Sequence, residues 1–178
     1  MSIFKRGAKL QILKKSSTLL SPYQLQENDE YSFEFITVSG IKYKIYFLDY
    51  SYMFADYPHI TCPVYSFNID AIEGSPDENQ GDARVGATVS FVMNLFFKKI
   101  DNVTVYVCDS MDERQYARKR KFDLWFYSYN DGSLIKEDGL AIVEGTEIYN
   151  AMLLHKQNKQ LTEIILAFKE LNERAGDK

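Results

Sequence analysis

Two adjacent segments of alternating apolar and polar residues constrain the fold of this chain more than any other feature. Residues 31–38 read Tyr-Ser-Phe-Glu-Phe-Ile-Thr-Val, and residues 41–48 alternate again after Ser39 and Gly40. Successive side chains of a strand point to opposite faces of a sheet, so each segment has one largely apolar face. A short glycine-containing link between two such segments is typical of a β-hairpin. We therefore predict a hairpin whose aromatic face lies in the core.

The remaining pattern predicts an α+β fold. We expect an irregular or short helical loop at 50–57 and an exposed loop at 70–83, which is rich in turn-forming residues. The predicted strands are 64–69, 103–108, 134–144 and 147–155, and the predicted helices are 84–100, 111–128 and one that Asn158 caps. The order β-β-β-α-β-α-β-β-α, with a βαβ unit in the middle, predicts a mixed, largely antiparallel sheet with about three packed helices.

Two local signals refine these boundaries. Ser110 and Glu113 have the spacing of a capping box, which predicts that the second helix starts near Met111. Asp138 and Gly139 form a common turn dipeptide, which predicts a hairpin turn within residues 134–144.

Composition excludes several classes of protein. No stretch approaches the roughly 18 apolar residues of a membrane span, and no signal peptide is recognisable, so we expect a cytoplasmic protein that does not bind membranes. The chain has two cysteines, Cys62 and Cys108, which we expect to be reduced and buried. Its 178 residues, 46% of them hydrophobic, suffice for a core without a cofactor. We expect none.

The charge of the chain is unevenly distributed. The formal net charge is −4, yet residues 1–26 contain only basic charged side chains. These are Lys5, Arg6, Lys9, Lys14 and Lys15. Such a segment can bind nucleic acid or an acidic protein surface, but solvated terminal segments have the same composition. We divide the chain into this basic segment, 1–26, and a single α+β domain, 27–178.

The junction between the strand 103–108 and the helix that follows it carries the most specific chemistry. On a helical wheel, Arg118 lies within the apolar face that should meet the sheet, where a cation needs a partner. One interpretation is a salt bridge from Arg118 to Asp109, with Asp112 the next acid in sequence. The alternative is a small cleft in which Asp109, Ser110, Arg114 and Arg118 bind an anionic ligand near the start of the helix.

The same stretch resembles a known family. Residues 106–112 read Tyr-Val-Cys-Asp-Ser-Met-Asp, and Ala117 to Phe126 read Ala-Arg-Lys-Arg-Lys-Phe-Asp-Leu-Trp-Phe. This run is similar to that of an uncharacterised family of small bacterial proteins, and the likeness extends from the hairpin near Tyr31 to the last helix. Membership implies a domain of unknown function, with no catalytic residues to transfer.

Three functional hypotheses remain at this stage. The preferred one is a non-enzymatic interaction module that binds a protein partner or a second copy, because the sequence contains no catalytic motif or metal-ligand spacing. Its predicted contact residues are Tyr50, Tyr52, Phe54, Tyr57, Phe91 and Leu95. The alternatives are an anion-binding domain or enzyme centred on Asp109 to Arg118, and nucleic-acid binding through residues 1–26.

Overall fold

A computed structural model describes residues 20–76, 81–108, 110–143 and 145–175. The basic side chains between Lys5 and Lys15, Asp109 and part of the predicted loop at 70–83 therefore lie outside the described residues. The strands are β1 (Gln26–Asp29), β2 (Ser32–Ile36), β3 (Lys42–Asp49), β4 (Val64–Glu73), β5 (Val103–Cys108), β6 (Leu134–Val143) and β7 (Thr146–His155). The helices are α1 (Ala83–Phe96), α2 (Gln115–Tyr129) and α3 (Leu161–Ala175), with a short 3-10 helix at Ser51–Phe54.

The described strands form one mixed sheet in the order β1-β2-β3-β4-β5-β7-β6. Only β4 and β5 pair in parallel, and every other neighbouring pair is antiparallel. The parallel pair needs a crossover connection, which α1 provides. The predicted α+β class, element order and largely antiparallel sheet are confirmed, with β1 as an additional strand.

The two faces of the sheet are covered by different helices. Helices α1 and α2 pack on one face, where the buried side chains include Phe47, Phe67, Tyr106 and Leu153. Helix α3 and the 3-10 helix pack on the other face, against Val105 and Met152 among others. Because β5 and β7 alternate between these two cores, they form the doubly covered centre of the fold.

The start of α1 fixes the segment that precedes β1. The Asp82 carboxylate caps the helix by accepting a hydrogen bond from the Arg84 backbone N–H at 2.9 Å. Its other oxygen accepts one from the Tyr23 hydroxyl at 2.6 Å. The Arg84 guanidinium lies 3.9 Å from the Tyr23 ring centroid. A single cap residue thus joins a helix to a distant part of the chain.

Several predicted boundaries are wrong. Strand β4 continues to Glu73, into the predicted loop at 70–83, and α1 ends at Phe96 rather than at residue 100. Strand β6 runs without a turn through Asp138 and Gly139, and the turn lies at Gly145, which has a φ of 80°. Gly139 is required for close packing instead, since a Cβ there would lie 2.3 Å from Asn150 Oδ1. Helix α2 starts at Gln115 rather than Met111, and no side chain forms a hydrogen-bonded cap at its start.

A glycine in α1 allows the two helices on one face to pack closely. A Cβ on Gly86 would lie 2.3 Å from Nε1 of Trp125 in α2, closer than real atoms approach. We predict that Gly86→Ala lowers the free energy of unfolding by about 1–3 kcal/mol, although alanine favours helices over glycine. Chemical denaturation measures this.

The matched control is the same change in a Trp125→Phe background. The smaller ring relieves the clash, so the cost of Gly86→Ala should shrink there. An equal cost in both backgrounds would contradict the proposed contact.

Candidate functional site

The β5–α2 junction contains a salt bridge rather than a buried cation. The Arg118 guanidinium pairs with both Asp112 carboxylate oxygens, at 2.7 Å for the Nη2–Oδ2 contact. The Arg118 side chain is 36% exposed, so the prediction that it lies within the buried face of α2 is wrong. The reason is the late start of α2, which places Arg118 in the first turn beside the preceding loop.

This pairing determines the electrostatics of the junction. The hydrogen bond from Arg118 lowers the pKa of Asp112 to about 2. Arg114, the residue before α2, and Arg118 are both engaged within the chain. Ser110 accepts a hydrogen bond from the Glu113 backbone N–H at 3.1 Å, which closes a turn. Among the predicted ligand-binding residues, Ser110, Arg114 and Arg118 are thus near one another, while Asp109 lies outside the described part of the chain.

Removing the arginine tests this assignment. We predict that Arg118→Gln raises the pKa of Asp112 from about 2 toward its ordinary value of 3.8. A carboxyl NMR titration measures the change, and Arg174→Gln, on α3, should leave Asp112 unaffected. A wild-type Asp112 that titrates near 3.8 would contradict the salt bridge.

Two tyrosines share one carboxylate beside this junction. The Tyr116 and Tyr149 hydroxyls donate to the same oxygen of Glu147, at 2.7 and 2.8 Å. These bonds lower the pKa of Glu147, with the Tyr116 bond the largest cause. A carboxylate held in its ionised form is a poor base near neutral pH.

A cluster of four charges lies between α2 and β6, and sequence reasoning missed it. The Lys136 side chain is only 2% exposed, and its ammonium contacts Asp123 at 2.7 Å and also Asp138. Lys119 contacts the same two carboxylates, at 2.7 and 3.7 Å. Burial acts to raise the pKa of Asp123, but the bonds from Lys119 and Lys136 outweigh it and lower the pKa. One feature of the sequence could have indicated this cluster. Lys136 lies two positions after the core residue Leu134, so its side chain is on the same face of the strand and needs a partner there.

The cysteine beside this cluster is not activated. Cys108 is buried, and burial raises the pKa of its thiol to about 11. A nucleophilic cysteine needs a lowered pKa, so Cys108 is a core residue at neutral pH. The prediction that Cys62 is also buried is wrong, because this residue is partly exposed. Partial burial still raises the pKa of its thiol, which donates to Gln160 Oε1 at 3.1 Å.

Lys136 provides the direct test of the charge cluster. We predict that Lys136→Met lowers the free energy of unfolding by about 1–3 kcal/mol, because the partly buried Asp123 loses one of its two cations. The control is Lys169→Met, whose side chain is 51% exposed and pairs with Glu137 of the same strand at 3.2 Å. That change should cost less than about 1 kcal/mol. Equal effects in denaturation curves would contradict the buried network.

Two concave spaces among the described residues differ in size and lining. A cavity of about 50 Å³ between α1 and α2 is lined mainly by apolar side chains, including Phe122 and Trp125. Ligand pockets are usually about 300–1,000 Å³. A more open groove of about 520 Å³ lies beside Tyr23 and the end of β2. Its cations are already engaged, since Lys42 contacts Glu34 at 2.8 Å and Arg84 donates to Ser21 O at 3.2 Å.

The predicted aromatic contact residues do not form one surface. Phe54 and Tyr57 are buried against α3, and the Tyr57 hydroxyl donates to Glu170 at 2.9 Å. Tyr52 and Phe91 are exposed, whereas Tyr50 and Leu95 are partly buried. Tyr52 is on the 3-10 helix and Phe91 is on α1, which cover opposite faces of the sheet.

The outer edge of β6, which is the side of this strand that does not pair with β7, was not predicted from the sequence. The Lys156 backbone N–H donates to the Ser133 carbonyl at 2.9 Å, so this pair begins the ladder between β6 and β7. Bonded pairs recur at every second residue of an antiparallel ladder. Odd-numbered residues of β6 therefore bond to β7, and even-numbered residues direct their N–H and C=O groups outward.

Most of this edge is open. The Asn130 side chain bonds both outward groups of Leu134, at 3.3 and 2.9 Å. Within the described ranges, no hydrogen bond reaches the outward groups of Lys136, Asp138, Leu140 or Ile142. We name these four residues the open edge.

The open edge ends in apolar side chains. Leu140 is 44% exposed, Ile142 48% and Val143 50%. The opposite edge of the sheet differs, because β1 has four residues, all exposed and polar or charged. Short polar edges resist pairing with other strands, whereas long apolar edges favour it.

Among the described residues, no helix has the length and apolar character needed to span a membrane. Comparisons with curated proteins and with solved structures return no match. A family model described as "Family of unknown function (DUF6169)" matches residues 81–170. The matched range includes α1, the β5–α2 junction and the open edge, but not the hairpin near Tyr31. Because it spans half of the chain, the predicted membership of a family of unknown function is confirmed, and the protein belongs to DUF6169.

Proposed function

We propose that this protein is a non-enzymatic interaction module that binds an extended segment of a protein partner along the open edge of β6. The observation that carries this proposal is the row of outward backbone groups from Lys136 to Ile142, next to exposed Leu140 and Ile142. An added strand satisfies such groups with main-chain hydrogen bonds, and side-chain contacts provide specificity.

The state of the reactive groups supports a binding role over catalysis. The Cys108 thiol has a raised pKa, and Glu147 has a lowered one. The Arg118 guanidinium is occupied by Asp112. Burial or a neighbouring side chain holds each of these groups in place, as is usual for structural residues. Catalytic groups, in contrast, have pKa values matched to their task.

The two alternative functions have less support. An anion site at Ser110, Arg114 and Arg118 would have to displace Asp112 from Arg118. Nucleic-acid binding through residues 1–26 depends on basic side chains outside the described residues. A cytoplasmic location stays a prediction.

Amide hydrogen exchange tests the proposed function. We predict that a synthetic peptide of residues 134–143, added in excess, protects the amides of the open edge from exchange by about tenfold or more. Amides that are protected before addition and stay protected after deletion of residues 1–19 would also support the proposal, since a strand of a partner would then occupy the edge. The amides of Ile135, Glu137 and Gly139, which bond to β7, are the internal control and should be protected throughout.

The control peptide carries proline at the positions of Leu140 and Ala141. Adjacent prolines remove donors from both edges of the peptide, so it cannot form the ladder. Open-edge amides that exchange freely with excess peptide, or equal protection by both peptides, would overturn the proposal.

A further inference from the structure

We propose that the partner strand is β6 of a second copy of this chain, paired antiparallel about a two-fold axis beside Gly139. This inference rests on the proposed function and names its partner. Symmetric pairs are the commonest assemblies of identical chains, and an antiparallel edge strand can pair with its own copy. The sheet would then continue from one molecule into the next.

The register follows from the open backbone groups. With the axis beside Gly139, Lys136 lies opposite Ile142 of the second copy, and Asp138 lies opposite Leu140 of the second copy. All residues of the open edge are then paired, which gives about eight main-chain hydrogen bonds. Shifting the axis by one residue or more leaves part of the open edge unpaired.

Side chains beside the start of β6 complement those at its end. On α2, Tyr127 is exposed and lies one turn after Asp123, which contacts Lys136. On α3, Leu166 is exposed and lies one turn before Lys169, which contacts Glu137. Both residues thus flank the beginning of β6, one on each face of the sheet.

The proposed register places the apolar end of one strand at these two positions. Ile142 of the second copy comes opposite Lys136, beside Tyr127, because its side chain lies on the α2 face. Val143 of the second copy comes opposite Ile135, beside Leu166, because its side chain lies on the α3 face. The two-fold axis repeats these contacts at the other end of the paired strands, where Tyr127 and Leu166 of the second copy lie beside Ile142 and Val143 of the first. A bare peptide has no α2 or α3, so it makes this set of contacts once, whereas a second copy makes it twice.

Charge does not oppose this contact. The chain has a formal net charge of −4, which disfavours self-association elsewhere on its surface. At the open edge, Lys119 and Lys136 balance Asp123 and Asp138. Two copies therefore meet at a surface where each chain has as many positive as negative charges in this cluster.

Light scattering of the full chain over a dilution series tests this inference. We expect a mass of twice 20.7 kDa at the higher concentrations, with the open-edge amides protected. Ile142→Lys should raise the dimer dissociation constant by about tenfold or more, because an edge lysine opposes strand pairing. The matched control is Ile36→Lys, because Ile36 is an exposed residue at the end of β2, distant from β6 in the sheet, and this change should leave the dissociation constant unaltered.

A second pair of variants tests the register. Tyr127→Ser with Leu166→Ser should weaken the dimer by about tenfold, because both copies lose their contacts with Ile142 and Val143 of the other, and should weaken binding of the 134–143 peptide less, because only one set of these contacts forms with a peptide. Tyr52→Ser, on the 3-10 helix, is the control and should have no effect. A dimer that these changes do not weaken, or one whose open-edge amides exchange freely, overturns the inference.

The remaining outcomes separate this inference from the proposed function. A monomeric chain that binds the 134–143 peptide would overturn the inference that the partner is a second copy, but it would support the proposed function. A monomer that does not bind the peptide and whose open-edge amides exchange freely overturns both. A monomer whose open-edge amides become exposed on deletion of residues 1–19 shows that the chain covers its own edge, and it also overturns both.

Discussion

The rest of the structure depends on the burial of β5 on both faces. Its side chains alternate between the core under α1 and α2, with Tyr106 and Cys108, and the core under α3, with Val103 and Val105. Five of its six residues are buried, with Val107 the exposed one, and a strand covered on both faces needs partners at both edges, which β4 and β7 provide. The hairpin of β6 and β7 completes that side of the sheet, and it leaves β6 as the outermost strand.

The charge cluster is a consequence of this arrangement. Trp125 is the one residue of helix α2 that is buried, and the pattern of the helix is weakly amphipathic. The α2 side nearest β6 uses ion pairs between Lys119, Asp123, Lys136 and Asp138 in place of apolar contact. Because the Lys136 ammonium is buried, losing its carboxylate partners would be costly, so these ion pairs define the position of α2 over β6.

The sequence predicted the elements whose pattern is local. The alternating hairpin, β5 and the apolar stripe of α3 agree with the structure because a single packed face determines each. The turn predicted at Gly139 was wrong because Asp-Gly is a common turn dipeptide. In the structure the missing side chain of Gly139 leaves room for the side chains of Asn150, on β7, and Asn172, on α3. That requirement is tertiary and leaves no trace in local spacing.

The candidate site was harder to predict for the same reason. The Arg118 interpretation required the correct start of α2, and a shift of four residues moved the side chain from the core to the loop. Phe54 and Tyr57 resembled a contact surface, but α3, distant in sequence, covers them. The open edge depends on strand order, which the sequence pattern left undetermined.

An exposed edge strand of this kind has a physical cost unless something pairs with it. Proteins usually protect such edges with lysines that project outward, with proline, or with short strands. In β6 the lysine is withdrawn, since the Lys136 ammonium is held by Asp123 and Asp138 beneath α2. The positive charge of Lys136, which would otherwise repel another strand, is therefore neutralised by ion pairs within the molecule. The apolar end of β6, at Ile142 and Val143, has no lysine beside it. An edge whose protective residue is neutralised in this way is suited to receive a strand.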